Sequence, residues 1–213
     1  MKKFELTTES ITFLGRTLFR IKALISFGNV KAGELGGYIE KEGNLSHEGN
    51  AWVCGDAEVC GDAEVCGDAE VCDNARVCGN AWVCGDARVY GDARVCGDAE
   101  VYGDAEVCDN ARVYGDAEVC DNARVCGNAW VCGNAKVYDN ADIATISGFG
   151  SEYRTTTFFR TKNNEIAVKC GCFYGTLAEF REKVKETHGD NRYAKEYLMI
   201  ADLMEMHFRG EEK

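Results

Sequence analysis

A six-residue unit, repeated without a break from Gly49 to Ala144, constrains this chain more than any other feature. Sixteen hexads run from Gly49-Asn50-Ala51-Trp52-Val53-Cys54 to Asp139-Asn140-Ala141-Asp142-Ile143-Ala144. Alanine fills the third place in all sixteen. Valine fills the fifth in fifteen, with Ile143 in the last. The sixth place holds cysteine eleven times, tyrosine four times (Tyr90, Tyr102, Tyr114 and Tyr138) and Ala144 once. Ala-x-Val reads apolar, polar, apolar, which predicts a very short strand with one face inward. The Gly-Asp, Gly-Asn or Asp-Asn that follows is corner chemistry, because these residues tolerate left-handed backbone angles. Wherever Asp takes the first place, Asn takes the second, so one uncharged, permissive residue is expected at each corner. Strands this short, separated by corners at a fixed period, predict a solenoid with a continuous internal core.

The small-x-aliphatic-turn hexad resembles the hexapeptide-repeat left-handed parallel β-helix, a family in which three hexads close one triangular coil. The resemblance implies a mainly β prism of about five coils, stacked at ~4.8 Å over roughly 25 Å. The stretches Leu18-Phe19-Arg20-Ile21-Lys22-Ala23-Leu24, Val30–Ile39 and Asn44-Leu45-Ser46 resemble the lead-in of hexapeptide proteins of phages, prophages and enteric bacteria. Some of those carry an acyltransferase name by fold analogy. Lys169–Leu177 and Thr187–Asn191 resemble the C-terminal module of the same proteins.

The expected organisation is an N-terminal β cap over 1–48, the hexapeptide β-helix over 49–146 and a small C-terminal α+β module over 147–213. The cap is needed because an open coil exposes unpaired backbone groups. In the last module, Thr155–Arg160 and Glu165–Cys170 read as a hairpin across Lys162-Asn163-Asn164. Thr176 with Glu179 is a capping box opening a helix to about Thr187, with Leu177, Phe180 and Val184 on its apolar face. A second helix is expected from about Tyr193 to Phe208, burying Leu198, Met204 and Phe208 or their neighbours.

Charge narrows the function classes. The net charge is −12, and residues 49–144 hold nineteen acids against six bases, so the excess sits on the repeat. That argues against direct nucleic-acid binding by the repeat. No run of 18 apolar residues reaches membrane length, and the start MKKFELTTES has no apolar leader core, so a cytoplasmic protein is expected. Thirteen cysteines in that setting read as reduced corner groups rather than a disulfide scaffold, because tyrosine interchanges with cysteine at the sixth place.

On three-hexad coils, residues eighteen apart stack, and the outward x positions become three columns. Trp52, Glu70, Arg88, Glu106, Arg124 and Asp142 form a ladder whose charges alternate after the tryptophan. Glu58, Arg76, Arg94, Arg112 and Trp130 stack three arginines. Glu64, Trp82, Glu100, Glu118 and Lys136 stack two glutamates, which pairing energetics alone would avoid. The candidate partner surface is therefore Glu64, Trp82, Glu100 and Glu118 with corner residues Asp62, Asp98 and Asp116. Arg76, Arg94, Arg112 and Trp130 form a second candidate. Tryptophan and arginine are the residue types enriched at binding hot spots.

Catalysis finds less support in these residues. The hexapeptide acyltransferase resemblance implies a histidine base on the coils, but the repeat contains none, and His47 just before it is the one candidate. Cys170, Cys172 and His188 form a weak metal-like set, since Cys-x-Cys lacks zinc-knuckle spacing. No cofactor is called for. The expected activity is non-enzymatic engagement of a protein partner, or self-association, by an acidic rod of phage or prophage type. A host defence or nucleic-acid enzyme would be bound by charge mimicry. A hexapeptide-class acyltransferase and a self-assembling structural component are the alternatives.

Overall fold

The computed structural model describes residues 2–13 and 15–209. Its body is a β-solenoid of about six turns. Each strand pairs in parallel with those eighteen residues before and after it, as Arg88 does with Glu70 and Glu106. Three sheets result. One runs through Trp52–Val53, Glu70–Val71, Arg88–Val89, Glu106–Val107 and Arg124–Val125. The second runs through Glu58–Val59, Arg76–Gly79, Arg94–Gly97, Arg112–Gly115 and Trp130–Val131. The third runs through Glu64–Val65, Trp82–Val83, Glu100–Val101, Glu118–Val119 and Lys136–Val137.

The repeat explains the core. Every third-place alanine from Ala51 to Ala135 and every fifth-place valine from Val53 to Val137 is at most 1% exposed. Their backbone groups bond turn to turn; Glu70 N–H donates to Ala87 O and Cys72 N–H to Val89 O, both at 2.9 Å. At the fifteen corners from Gly49 to Gly133 the left-handed residue is the first of the pair. Gly79 has φ +78°, and a Cβ there would lie 2.9 Å from Gly97 N. Asp73, Asp109 and Asp121 also take positive φ, at 63°, 60° and 53°, so the permissive residue is the aspartate and not the asparagine after it. The gain is an extra bond. Asp73 Oδ2 accepts from Gly91 N and Asp109 Oδ2 from Gly127 N, each at 3.0 Å, so the carboxylate ties its corner to the next.

The solenoid starts before the hexads do. Leu35–Ile39 pairs in parallel with Glu58–Val59, and Leu45 bridges Val65, so the lead-in supplies a turn beyond the five expected. Antiparallel strands Phe4–Phe13 and Arg16–Ala23 extend the same sheet. Two polar side chains close the open end. Lys3 Nζ donates to Ala51 O (2.9 Å) and Gly49 O (3.3 Å), and Asn44 Nδ2 to Ala63 O (2.8 Å) and Gly61 O (3.0 Å).

At the other end the last hexad leaves the prism. Ala141 is exposed, and Ile143–Ile146 pairs antiparallel with Thr156–Arg160. Asp142 therefore does not extend the first ladder; it pairs with Arg160 (Nε–Oδ1 3.0 Å). Ile166–Cys170 and Phe173–Thr176 complete a four-stranded sheet, of which the sequence signalled only the central hairpin. Helix α1 (Leu177–His188) opens on the Thr176/Glu179 capping box and buries Leu177, Phe180 and Val184. Helix α2 (Arg192–Arg209) buries Ala194, Tyr197, Ile200, Ala201, Met204 and Phe208, while Leu198 is only partly covered.

Candidate interaction surfaces

The third sheet brings Glu64, Trp82, Glu100, Glu118 and Lys136 into one register. Glu64 and Glu100 are exposed, and Trp82 between them is 39% exposed, tilted against Tyr102 at 6.3 Å between ring centroids. Glu118 behaves differently. Its carboxylate lies 2.8 Å from Lys162 Nζ and 3.8 Å from Lys136 Nζ, and its side chain is half-sheltered. The hydrogen bond from Lys162 holds that ammonium above its ordinary pKa. At the other end Asp62 lies 2.5 Å from Lys41 Nζ, which holds its carboxyl below the usual range. Asp98 accepts from Asn80 Nδ2 at 2.7 Å, and Asp116 is exposed. Both ends of the acidic row are thus neutralised by flanking lysines. The open carboxylates are Glu64, Asp98, Glu100 and Asp116, around Trp82.

The second face is more internally satisfied than the sequence implied. Arg76 Nε is 3.2 Å from Glu58 Oε2, and its guanidinium sits 4.7 Å over the Phe13 ring. Burial pushes the Glu58 carboxyl up in spite of the adjacent Arg76 and Arg94. Arg112 stacks on Trp130 at 5.3 Å, Lys169 Nζ lies 4.1 Å from the same ring, and Trp130 N–H donates to Thr157 Oγ1 at 3.0 Å. Trp130 is therefore part of the joint with the C-terminal module and no free anchor. Arg76, Arg94 and Arg112 line a shallow cavity of about 260 Å³ with Asn74, Asp92 and Asn110.

The first face holds one formed ion pair, Glu106 with Arg124 at 3.1 Å, and Tyr90 OH donates to Glu106 at 3.3 Å. Trp52, placed among the outward residues by its hexad position, is 4% exposed beneath the lead-in, edge-on to Phe27 at 5.4 Å. Of the three tryptophans only Trp82 is exposed. Lys41, Lys162, Thr157 and Lys169 could not be read as face residues, because they reach the prism from outside the repeat.

The sixth-place columns correct the expectation that every repeat thiol is reduced. Cys54–Cys72 and Cys108–Cys126 are disulfides, each with Cα atoms 4.6 Å apart. Stacked rungs place consecutive cysteines of a column inside the range a disulfide accepts. Cys60, Cys66, Cys78, Cys84, Cys96, Cys120 and Cys132 are free, with Cys60 and Cys120 buried as packing groups. Cys108, Asp109 and Cys126 are the one set of three ligand types gathered within 4.8 Å among the described residues, and both sulfurs are used by the disulfide.

Cys170, Cys172 and His188 do share a site, a cavity of about 510 Å³ between α1, α2 and the sheet. They do not converge as ligands. Cys170 Sγ accepts from Thr156 Oγ1 at 3.2 Å, Cys172 is exposed at the strand turn, and the His188 ring stacks on Tyr197 at 5.8 Å. Burial pushes the Tyr197 hydroxyl up to about 12. His47 is held in the cap, where Nδ1 accepts from Lys3 N–H at 3.2 Å and the ring stacks on Phe4 at 4.3 Å. No helix among the described residues is long and apolar enough to cross a membrane.

A family model described as the YdcK beta solenoid repeat matches residues 69–85, 81–97 and 117–133, all within the prism. No curated protein matches the chain.

Proposed function

We propose that this chain is a non-enzymatic binding protein of phage or prophage type. It winds as a left-handed coil, acts in the cytoplasm, and engages a basic protein site through its third face. The observation that carries this reading is the group of open carboxylates at Glu64, Asp98, Glu100 and Asp116 around the exposed Trp82. These groups stand on rungs at ~4.8 Å, so their spacing is set by the backbone and costs little ordering on binding. Regular anionic spacing of this kind offers charge mimicry toward a basic channel, with the indole as the apolar anchor.

The test captures partners from a host lysate with the intact chain, then compares Glu64→Gln/Glu100→Gln with Glu70→Gln/Arg88→Gln. The first pair should weaken association and its salt dependence, since exposed charges are screened over ~10 Å at 0.1 M salt. The second changes no net charge and should matter much less. Equal capture by both variants at low and high salt would count against the acidic face and leave its charge a solubility device.

A further inference from the structure

We propose that the remaining in-register thiols are further disulfide sites, Cys66 with Cys84, and Cys78 with either Cys60 or Cys96. A dialkyl disulfide such as oxidised glutathione is the oxidant. The backbone argues for it. Cys54 N–H donates to Val71 O at 2.8 Å and Cys108 N–H to Val125 O at 2.9 Å, which sets each bonded cysteine one rung from its partner. Cys60 N–H to Val77 O and Cys66 N–H to Val83 O, both at 3.0 Å, repeat that relation. Cys78 and Cys96 are direct register partners on adjacent strands. The free pairs therefore stand in the same rung-to-rung relation as the bonded ones.

The column pattern makes the inference sharp. In the second column Cys60, Cys78 and Cys96 are consecutive, then Tyr114 interrupts before Cys132. In the third, Cys66 and Cys84 are consecutive, and Cys120 stands alone between Tyr102 and Tyr138. Cys120 and Cys132 are thus internal controls, thiols at the same place in the hexad with no cysteine one rung away.

The chemistry balances. The Cys66 thiolate attacks oxidised glutathione, forming a mixed disulfide and releasing one glutathione thiolate. Cys84 then attacks Cys66 Sγ, forming the inter-turn bond and releasing the second thiolate. Two electrons pass from the protein to the oxidant, and the two protein protons end on the two glutathiones. The three-thiol column holds only one bond at a time. If Cys78–Cys96 forms first, Cys60 can attack Cys78, expel the Cys96 thiolate and pass its proton to solvent, with no net oxidation.

Cys78 is the shared partner of both possible bonds, so one of Cys60 and Cys96 is always left as a thiol. The consequence is a solenoid stapled between turns on all three columns, which resists fraying because its stability rests on nearest-neighbour contacts.

The experiment reduces the full chain under native conditions, equilibrates it in a glutathione redox buffer, and traps thiols with N-ethylmaleimide. Linked peptides are then identified by mass spectrometry. The expected result is Cys66–Cys84 linked and Cys78 linked to Cys60 or Cys96, with the third thiol of that column, Cys120 and Cys132 alkylated. Cys78→Ser should leave both Cys60 and Cys96 alkylated, because they are two rungs apart, while Cys60→Ser should confine the bond to Cys78–Cys96. The proposal is overturned if Cys66, Cys84 and Cys78 alkylate as fully as Cys120 and Cys132 once Cys54–Cys72 and Cys108–Cys126 have formed. A Cys60–Cys96 link in Cys78→Ser would overturn it equally.

Discussion

The narrowness of the core can be tested at Ala93. This side chain is 0% exposed, and its rung neighbours Ala75 and Ala111 are 0% exposed as well. Ala93→Phe puts a benzyl group into a column built for methyls. Overpacking a close-packed core costs typically about 1–3 kcal/mol. Relief by shifting the rung is blocked on both sides, because Ala93 O accepts from Arg76 N–H and Ala111 O from Arg94 N–H, each at 2.9 Å. Loosening either bond adds roughly 0.5–1.5 kcal/mol. The expected loss is therefore at the top of the overpacking range, about 3 kcal/mol. With urea slopes of about 1–3 kcal/mol per molar, the midpoint should fall by roughly 1–3 M. Arg94→Phe, the next residue and outward-facing, is the control and should stay within about 0.5 kcal/mol. Urea titrations followed by far-ultraviolet circular dichroism compare the two. Coincident midpoints for both variants would refute the packing argument.

Further outcomes follow from the cap and the corners. Burial lowers the Lys3 ammonium to about 8, below its unfolded value, so the unfolded chain binds the extra proton between pH 8 and about 10.5 and stability should rise with pH across that window. The difference in unfolding free energy between the native chain and Lys3→Met, from urea titrations, should shift in favour of the native chain by up to about 3 kcal/mol, and a gap constant from pH 7 to 11 would contradict the assignment. Gly79→Ala forces a side chain onto φ +78° with its Cβ 2.9 Å from Gly97 N, and should cost about 1–2 kcal/mol or more in thermal or urea unfolding. Gly127→Ala, where φ is +70° but nothing lies within 4 Å, should cost less, so equal losses would show that the close approach contributes nothing.

What the sequence could convey was whatever repeats. Ala-x-Val and its corner specified the strands, the inward faces and the eighteen-residue register, because all three depend on local chemistry that each hexad restates. The helix at Leu177–His188 was equally legible, since Thr176 and Glu179 signal its start and Leu177, Phe180 and Val184 its buried side. The losses came where the flanks meet the prism. Trp52 and Trp130 occupy the same hexad place as Trp82, yet Phe27 covers one, and Thr157 and Lys169 contact the other. Glu118 looked like Glu100 in the sequence, but Lys162 reaches it from the C-terminal hairpin. The last hexad kept its consensus and still left the coil, because Ile143–Ile146 found a partner in Thr156–Arg160. Such contacts depend on tertiary placement and have no signature in the hexad.

Near-identical repeats carry a hazard that those flanking contacts resolve. Sliding the prism by one turn keeps every Ala and Val inward, so the core itself distinguishes weakly between registers. Discrimination has to come from residues that do not repeat. At the first end the backbone carbonyls that Lys3 and Asn44 bond recur on the next turn, so the discriminating contact there is Phe27 on Trp52. A one-turn slip would place Glu70 under Phe27 instead, burying an unpaired carboxylate at a cost that decides the register. At the other end Lys169 lies over the Trp130 ring, and losing a turn there would offer it Arg112 instead, setting a cation beneath Lys169. The first and last tryptophans thus mark where the stack begins and ends. Trp82, which no flanking segment covers, is the one that register does not require.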